Sequence, residues 1–252
     1  MSIEPVLEKI AATGYDGLDV SATWRDDLDP ALFPREARET FKRASERLGL
    51  RIEACVTHLP LVPSVWNGQP LNLPGAVDLA VAWGARIVTV HLGGAEDARA
   101  AWRAAVKALR AACAYAERRG VVIATDAIWR GTILDSPEKV VQLIEDVGSP
   151  ALKHNFDPCY LNVCGMDPVE AISILAPHVA HVHVKDHRGR YPHFDHLIPG
   201  DDGAEMNHAA WAHALSETGF EGYAAVECFT NHPLERACDI GYRTMRRAFS
   251  EA

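Results

Sequence analysis

A parallel (β/α) barrel, its strands ringed by helices and its first strand missing, is the fold class the sequence predicts. Three observations predict it. Amphipathic helical runs closed by Gly alternate seven times with short β-branched runs, and one more helix closes the chain. The 252 residues match the length at which such barrels form one unit, and no stretch rich in Pro, Gly or Ser divides them, so residues 1–252 read as a single domain. No G-x-G-x-x-G follows the first strand, which leaves the doubly wound open sheet as runner-up.

Local patterns set the element order. Residues 3–13 place Val6, Leu7, Ile10 and Ala11 on one helical face, and Gly14 can cap that helix before the short strand GLDV at 17–20. ETFKRASERLG leads into RIEACVT, and PGAVDLAVAWG into RIVTVH. The alanine-rich run 97–119 is helical by propensity, ends at Gly120 and precedes VVIATD. Ser136, followed by Pro137 in the first helical position, starts SPEKVVQLIEDVG, which hands over to ALKHNFD. Asp167 and Pro168 repeat that device ahead of VAHVHVK; NHAAWAHALSETG then leads to GYAAVEC, and a last helix starts near Pro233. A closed barrel of this kind has eight strands and begins on one, whereas this chain begins on a helix. The seam expected between GLDV and GYAAVEC is either open or covered by another segment, a homodimer or a partner subunit.

Bulk properties narrow the partners. A formal net charge of −9 and the lack of any Lys/Arg run argue against a nucleic-acid groove. The opening MSIEPVLEKIAATG carries an early glutamate and no apolar core of signal-peptide length, and no apolar stretch approaches a membrane span, so a cytoplasmic protein without membrane contact is expected. Six cysteines (Cys55, Cys113, Cys159, Cys164, Cys228 and Cys238) fall at scattered spacings with no C-x-x-C and read as buried thiols.

HVHVKD at 181–186 is where chemistry enters. Val182 and Val184 alternate with His181, His183 and Lys185, so one face of that strand is apolar and the other ionisable. In a parallel barrel the loops after the strands build the site, which gives weight to ionisable residues at C-terminal strand ends. Each of the last four strands has one: Asp126, Asp157, His183 and Glu227. Three carboxylates and an imidazole meeting there repel one another or sit half-protonated unless a divalent cation neutralises them. Oxygen-rich ligands with one nitrogen suit one Mn²⁺ ion best, Mg²⁺ or Co²⁺ next, and Zn²⁺ less well. For any single residue of the set a helix cap or a surface charge is the blander reading; four in succession outweigh it.

Other residues complete the expected pocket. His91 ends RIVTVH and His58 follows RIEACVT, so both can line it from the opposite side. Lys185 belongs at the rim, on the face of His183. Trp129 and Arg130 after Asp126, and Trp24 after the first strand, can wall and anchor a polyol, although packing is the commoner use of such aromatics. His187, Arg188 and His193 fall in the loop after HVHVKD, where substrate contact and plain solvation both fit. His181 lies deeper and is expected to be hydrogen-bonded structure. His208 and His213 are expected to face solvent from the helix opened by Asn207.

The residues GYDGLDV, TVHLGG, NFDPCYL followed by MDPVEAI, HVHVKD, PGDDG and GFEGYAAVE together resemble the sugar phosphate isomerase/epimerase family of the xylose-isomerase-like TIM barrels, over essentially the whole chain. The resemblance implies a TIM-type barrel in which Asp126, Asp157, His183 and Glu227 hold a divalent metal. Asp126 stands where the family has the longer glutamate, and Tyr160 stands where many members have a histidine that contacts substrate. The implied activity is a metal-dependent isomerase or epimerase of a small sugar, keto-sugar or polyol, working through proton abstraction beside a carbonyl with Glu227 as the base and Asp126 opposite it. A lyase or dehydratase acting on a keto-sugar or keto-inositol would share the enolisation step. A non-catalytic barrel serving as a subunit or binding protein is the alternative of another class.

Overall fold

The computed structural model of the protein describes residues 3–22, 35–61, 72–94, 96–227 and 233–250; Trp24 and Cys228 lie outside them. Helix α1 (Glu4–Thr13) precedes strand β1 (Gly17–Ser21), and the alternation continues through α2 (Arg35–Arg47), β2 (Arg51–Pro60), α3 (Leu73–Trp83), β3 (Ile87–His91), α4 (Ala98–Glu117), β4 (Val122–Asp126), α5 (Pro137–Val147) and β5 (Leu152–Phe156). Two short helices, α6 (Pro158–Val163) and α7 (Pro168–Leu175), come before β6 (Val179–Val184). A hairpin of β7 (Asp186–Arg190) and β8 (His193–Leu197) follows, then α8 (His208–Glu217), β9 (Ala224–Val226) and α9 (Leu234–Ser250). The caps are those the residue types favour: the Ser136 side chain accepts from the Lys139 N–H at the start of α5, and Gly148 ends that helix in the left-handed conformation.

Seven strands in the order β1-β2-β3-β4-β5-β6-β9, every neighbouring pair parallel, form a nearly closed barrel ringed by helices. Outward-facing residues of the strands, among them Val88, Ile123, Val182 and Val184, pack with Leu79, Leu109, Leu143 and Trp211 of the helices in one buried apolar layer. Ala54, Ile87 and Ala124 form a separate small cluster, on the strand parity that points inward. The register aligns His91 with Asp126 and Asp126 with Asn155, so the polar strand ends share one level.

The end strands of the sheet, β1 and β9, are spanned by the helices beside them. Lys9 Nζ of α1 meets Asp239 Oδ1 of α9 at 2.6 Å, the Tyr15 hydroxyl donates to the Cys238 carbonyl at 3.1 Å, and the Tyr15 and Tyr242 rings cross edge to face at 5.1 Å. Two glycines permit this approach. Gly14 caps α1 at φ +107°, where a Cβ would lie 2.8 Å from the Tyr242 hydroxyl, and a Cβ on Gly241 would lie 2.8 Å from Val226 of β9.

Two features differ from the sequence reading. The loop after HVHVKD contains the antiparallel β7–β8 hairpin, whose polar sequence DHRGRYPHFDHL lacks the apolar alternation that marks a strand. His208 does not face solvent: it is 6% exposed because the first turn of α8 is turned inward onto Asp186, while His213, one face away, is exposed as expected. Cys55, Cys113, Cys159, Cys164 and Cys238 are buried free thiols, and among the described residues no helix is long and apolar enough to cross a membrane.

Replacing Gly14 with Ala forces a side chain into left-handed backbone and against Tyr242. Gly14→Ala is expected to lower the free energy of unfolding by about 1–3 kcal/mol, read from urea melts, whereas Ser250→Ala, on the exposed end of α9, serves as the control and stays within about 0.5 kcal/mol of the parent.

Candidate active site

Alternation along β6 turns His181 and His183 into the barrel, and Lys185 follows on the same face. His183 is the junction of the site. Its Nδ1 lies 3.2 Å from Glu227 Oε2 and 3.6 Å from Asp126 Oδ2, and its Nε2 lies 3.4 Å from Asp19 Oδ2. Asp19, on β1, also takes the Nε2 side of His181 at 2.7 Å, a bond that crosses the interior and ties β1 to β6. Asp126 ends β4 with its Oδ1 accepting from Asn155 Nδ2 at 2.7 Å and its Oδ2 facing His91 Nε2 at 3.2 Å. The chain leaves Asp126 through Ala127 at φ +56°, a left-handed turn on a residue with a Cβ.

Asp157 fills two roles at once. Its Oδ1 caps α6 by accepting from the Tyr160 N–H at 3.1 Å, and its Oδ2 accepts from Lys185 Nζ at 2.6 Å. The same ammonium donates to Glu227 Oε2 at 2.6 Å and lies 4.4 Å from the centre of the Tyr160 ring. Lys185 is therefore not at the rim as expected; it is 1% exposed because its chain folds inward between the two carboxylates.

Burial and partners set the charges. Burial opposes charge on His183, yet Asp126 and Glu227 outweigh it and hold the imidazolium well above the usual histidine range. Burial likewise opposes charge on Lys185, and Asp157 and Glu227 more than offset it. Glu227, in spite of burial, is held well below the usual carboxylate range by Lys185 and His183. His58 is driven down to about 4, mainly by burial, so it is a neutral imidazole at neutral pH; its ring stacks 6.4 Å from that of His91.

The remaining sequence-expected residues divide. Trp129 packs edge to face on Tyr160 at 5.0 Å and meets Phe194 of the hairpin at 5.5 Å, while Tyr160 meets His196 at 5.6 Å, so these rings form one aromatic wall beside Lys185. Arg130 points away and donates to the Cys164 carbonyl. Arg188 is exposed and paired with Asp195, His193 is exposed, and His187 bonds Asn162 at 2.9 Å, so the structure does not bring these three into the cluster. Asp19, Asn155 and His196 escaped the sequence reading.

Carboxylates and imidazoles are donors suited to a divalent cation, and among the described residues Asp19, His181 and His183 place three ligand atoms within 4.8 Å of one another. His183 Nδ1 is buried and faces two carboxylates without a well-directed hydrogen bond to either. Glu227 Oε2 and Asp126 Oδ2 approach that nitrogen at 3.2 and 3.6 Å. Asp19 behind His183 Nε2 is the carboxylate that orients a ligating imidazole.

Fold and site define a parallel (β/α) barrel with an ionisable mouth at the C-terminal ends of its strands. The chain belongs to the xylose isomerase-like TIM barrel family, whose model matches residues 7–248. No curated protein matches it by sequence. Among solved structures it is similar to an IOLI protein with a bound zinc atom, at 17% identity and TM-score 0.82, over 100% of this chain and 94% of that one. It is similar to D-psicose 3-epimerase with D-tagatose from Clostridium cellulolyticum H10, at 14% identity and TM-score 0.79, over 99% and 94% of the two chains. A xylose isomerase-like TIM barrel protein from Mycobacterium smegmatis in complex with magnesium aligns at 18% identity and TM-score 0.75, over 98% and 88%.

The hairpin that carries His196 is anchored by Asp186, which accepts from the N–H groups of His187, Glu205 and Met206 and faces His208 Nε2 at 2.8 Å. Burial opposes its charge, and the donors from His208 and the backbone overcome this and hold the carboxyl below the usual range. A depressed folded-state pKa contributes stability that is present above the unfolded value of about 3.9 and is lost as pH falls through the folded value. Asp186→Asn is expected to cost about 2–4 kcal/mol at neutral pH and to lessen the decline in stability below about pH 4; urea melts at both pH values check it.

Proposed function

We propose that the protein is a divalent-metal-dependent isomerase or epimerase of a small sugar, keto-sugar or polyol, acting in the cytoplasm. The observation that carries this reading is the convergence of Asp126 Oδ2 and Glu227 Oε2 on the buried Nδ1 of His183. The sugar epimerase and the zinc- and magnesium-bound proteins among its structural neighbours support it at the level of fold. Asp126, His183 and Glu227 would hold the ion, with Asp157 as the fourth ligand. Mn²⁺ fits this set best, and when bound it would draw electron density from the adjacent substrate oxygens and acidify the C–H beside the carbonyl.

Glu227 is the base. Lys185 and His183 keep it ionised, and its Oε2 lies at the mouth, where it removes the substrate proton and returns it at the neighbouring carbon or the opposite face. A carboxylate held so far below the usual range is a weak base, so the acidity of the substrate C–H has to come from the cation beside it. Asp126, one methylene shorter than a glutamate, is committed to Asn155 and His91 and serves the ion more than the proton transfer. The aromatic wall of Trp129, Tyr160 and His196 on one side and neutral His58 with His91 on the other would orient the polyol.

Proton exchange in D₂O against a panel of ketoses and keto-polyols, followed by NMR, tests this directly, since exchange reports enolisation before any product is identified. Stripping the metal should abolish exchange, and Glu227→Gln should reduce it by at least about 10²–10⁴-fold. Asp126→Asn should weaken metal binding and regain much of its exchange in excess Mn²⁺. Full exchange in Glu227→Gln would remove it as the base.

A further inference from the structure

Lys185 is among the largest fully buried side chains of the molecule. It places a positive charge where the proposed function needs a divalent one: its Nζ lies 2.6 Å from Asp157 Oδ2 and 2.6 Å from Glu227 Oε2. The other oxygen of Asp157 is bonded to the Tyr160 N–H at 3.1 Å, so both of its oxygens are engaged. Asp126, by contrast, directs one oxygen toward His91 and His183 with no lysine or arginine on it. The strand-end residues thus divide into a half that faces His183 Nδ1 and a half already held by an ammonium, with Glu227 shared between them.

We infer that Lys185 is a resident counter-cation, which balances the strand-end carboxylates when no divalent ion is bound and competes with that ion for Asp157 and Glu227. The inference rests on the metal reading of the site. Two positive groups sharing carboxylate oxygens within a buried mouth repel each other strongly, because little solvent lies between them to screen the interaction. Binding a divalent ion therefore requires the ammonium to withdraw from at least one of its partners or to tolerate that repulsion. The barrel keeps its mouth assembled without metal, and its metal affinity is correspondingly moderate.

Metal-stripped wild type, Lys185→Met and Lys185→Gln are titrated with Mn²⁺ by calorimetry and melted with and without it. Lys185→Gln keeps N–H donors for Asp157 and Glu227 while losing the charge, so it remains informative if Lys185→Met does not fold without metal. The expected result is Mn²⁺ binding at least about tenfold tighter in the variants than in wild type. Their melting temperatures should fall without metal, and Mn²⁺ should raise them by more than about 5 °C, against under about 2 °C for wild type. Variants that bind Mn²⁺ no more tightly than wild type, with equal thermal gains, would overturn the competition and leave the metal reading intact. If none of the three proteins binds Mn²⁺, Mg²⁺ or Zn²⁺, the metal reading fails and the competition with it.

Discussion

Charge balance in a confined mouth is the constraint on which this molecule depends. Four carboxylates, Asp19, Asp126, Asp157 and Glu227, come within reach of His181, His183 and Lys185 at the ends of parallel strands. Most of these groups are buried and Asp19 and Glu227 largely so, which makes each tolerable only with its partners in position. The contacts run in a chain: Asp19 holds both histidines, His183 passes the balance to Asp126 and Glu227, and Lys185 joins Glu227 to Asp157. Strands β1, β4 and β6 and the segments after β5 and β9 are thereby tied together by electrostatics across the interior of the barrel.

The same economy of contacts shapes the surroundings. Asp186, directly after Lys185, turns the chain out of the barrel and gathers three backbone N–H groups and His208. That hub fixes the root of the hairpin, and the hairpin brings Phe194 and His196 against Trp129 and Tyr160. Lys185 and Asp186 thus set, one residue apart, the charge inside the mouth and the wall beside it.

Much of this was legible beforehand, and the reasons are specific. The helices announced themselves by caps such as Ser136-Pro137 and Asp167-Pro168, and the strands by short β-branched runs. HVHVKD displayed its two faces because alternation along a strand is strictly twofold. Asp19 was hidden: a lone aspartate in GLDV has a plain surface reading until the fold sets it against His181, 162 positions later. The alternation of Leu18 and Val20 about it was the available signal. His208 was misread because helical position alone says nothing about a buried carboxylate arriving from another segment, and His196 because its hairpin is held by aromatic contacts and bears no apolar stripe.

The clasp between α1 and α9 has a consequence for biosynthesis. Lys9 and Asp239, which meet there, are 230 positions apart, so nearly the whole chain must leave the ribosome before the two end strands of the sheet acquire their cover. Until then the nascent sheet presents the open edge of β1, the kind of surface on which other chains pair. Polar contacts between helices complete the cover late, at the cost of closing a very long loop. Crowding on a polysome therefore bears on this barrel in the interval between the emergence of β1 and that of α9.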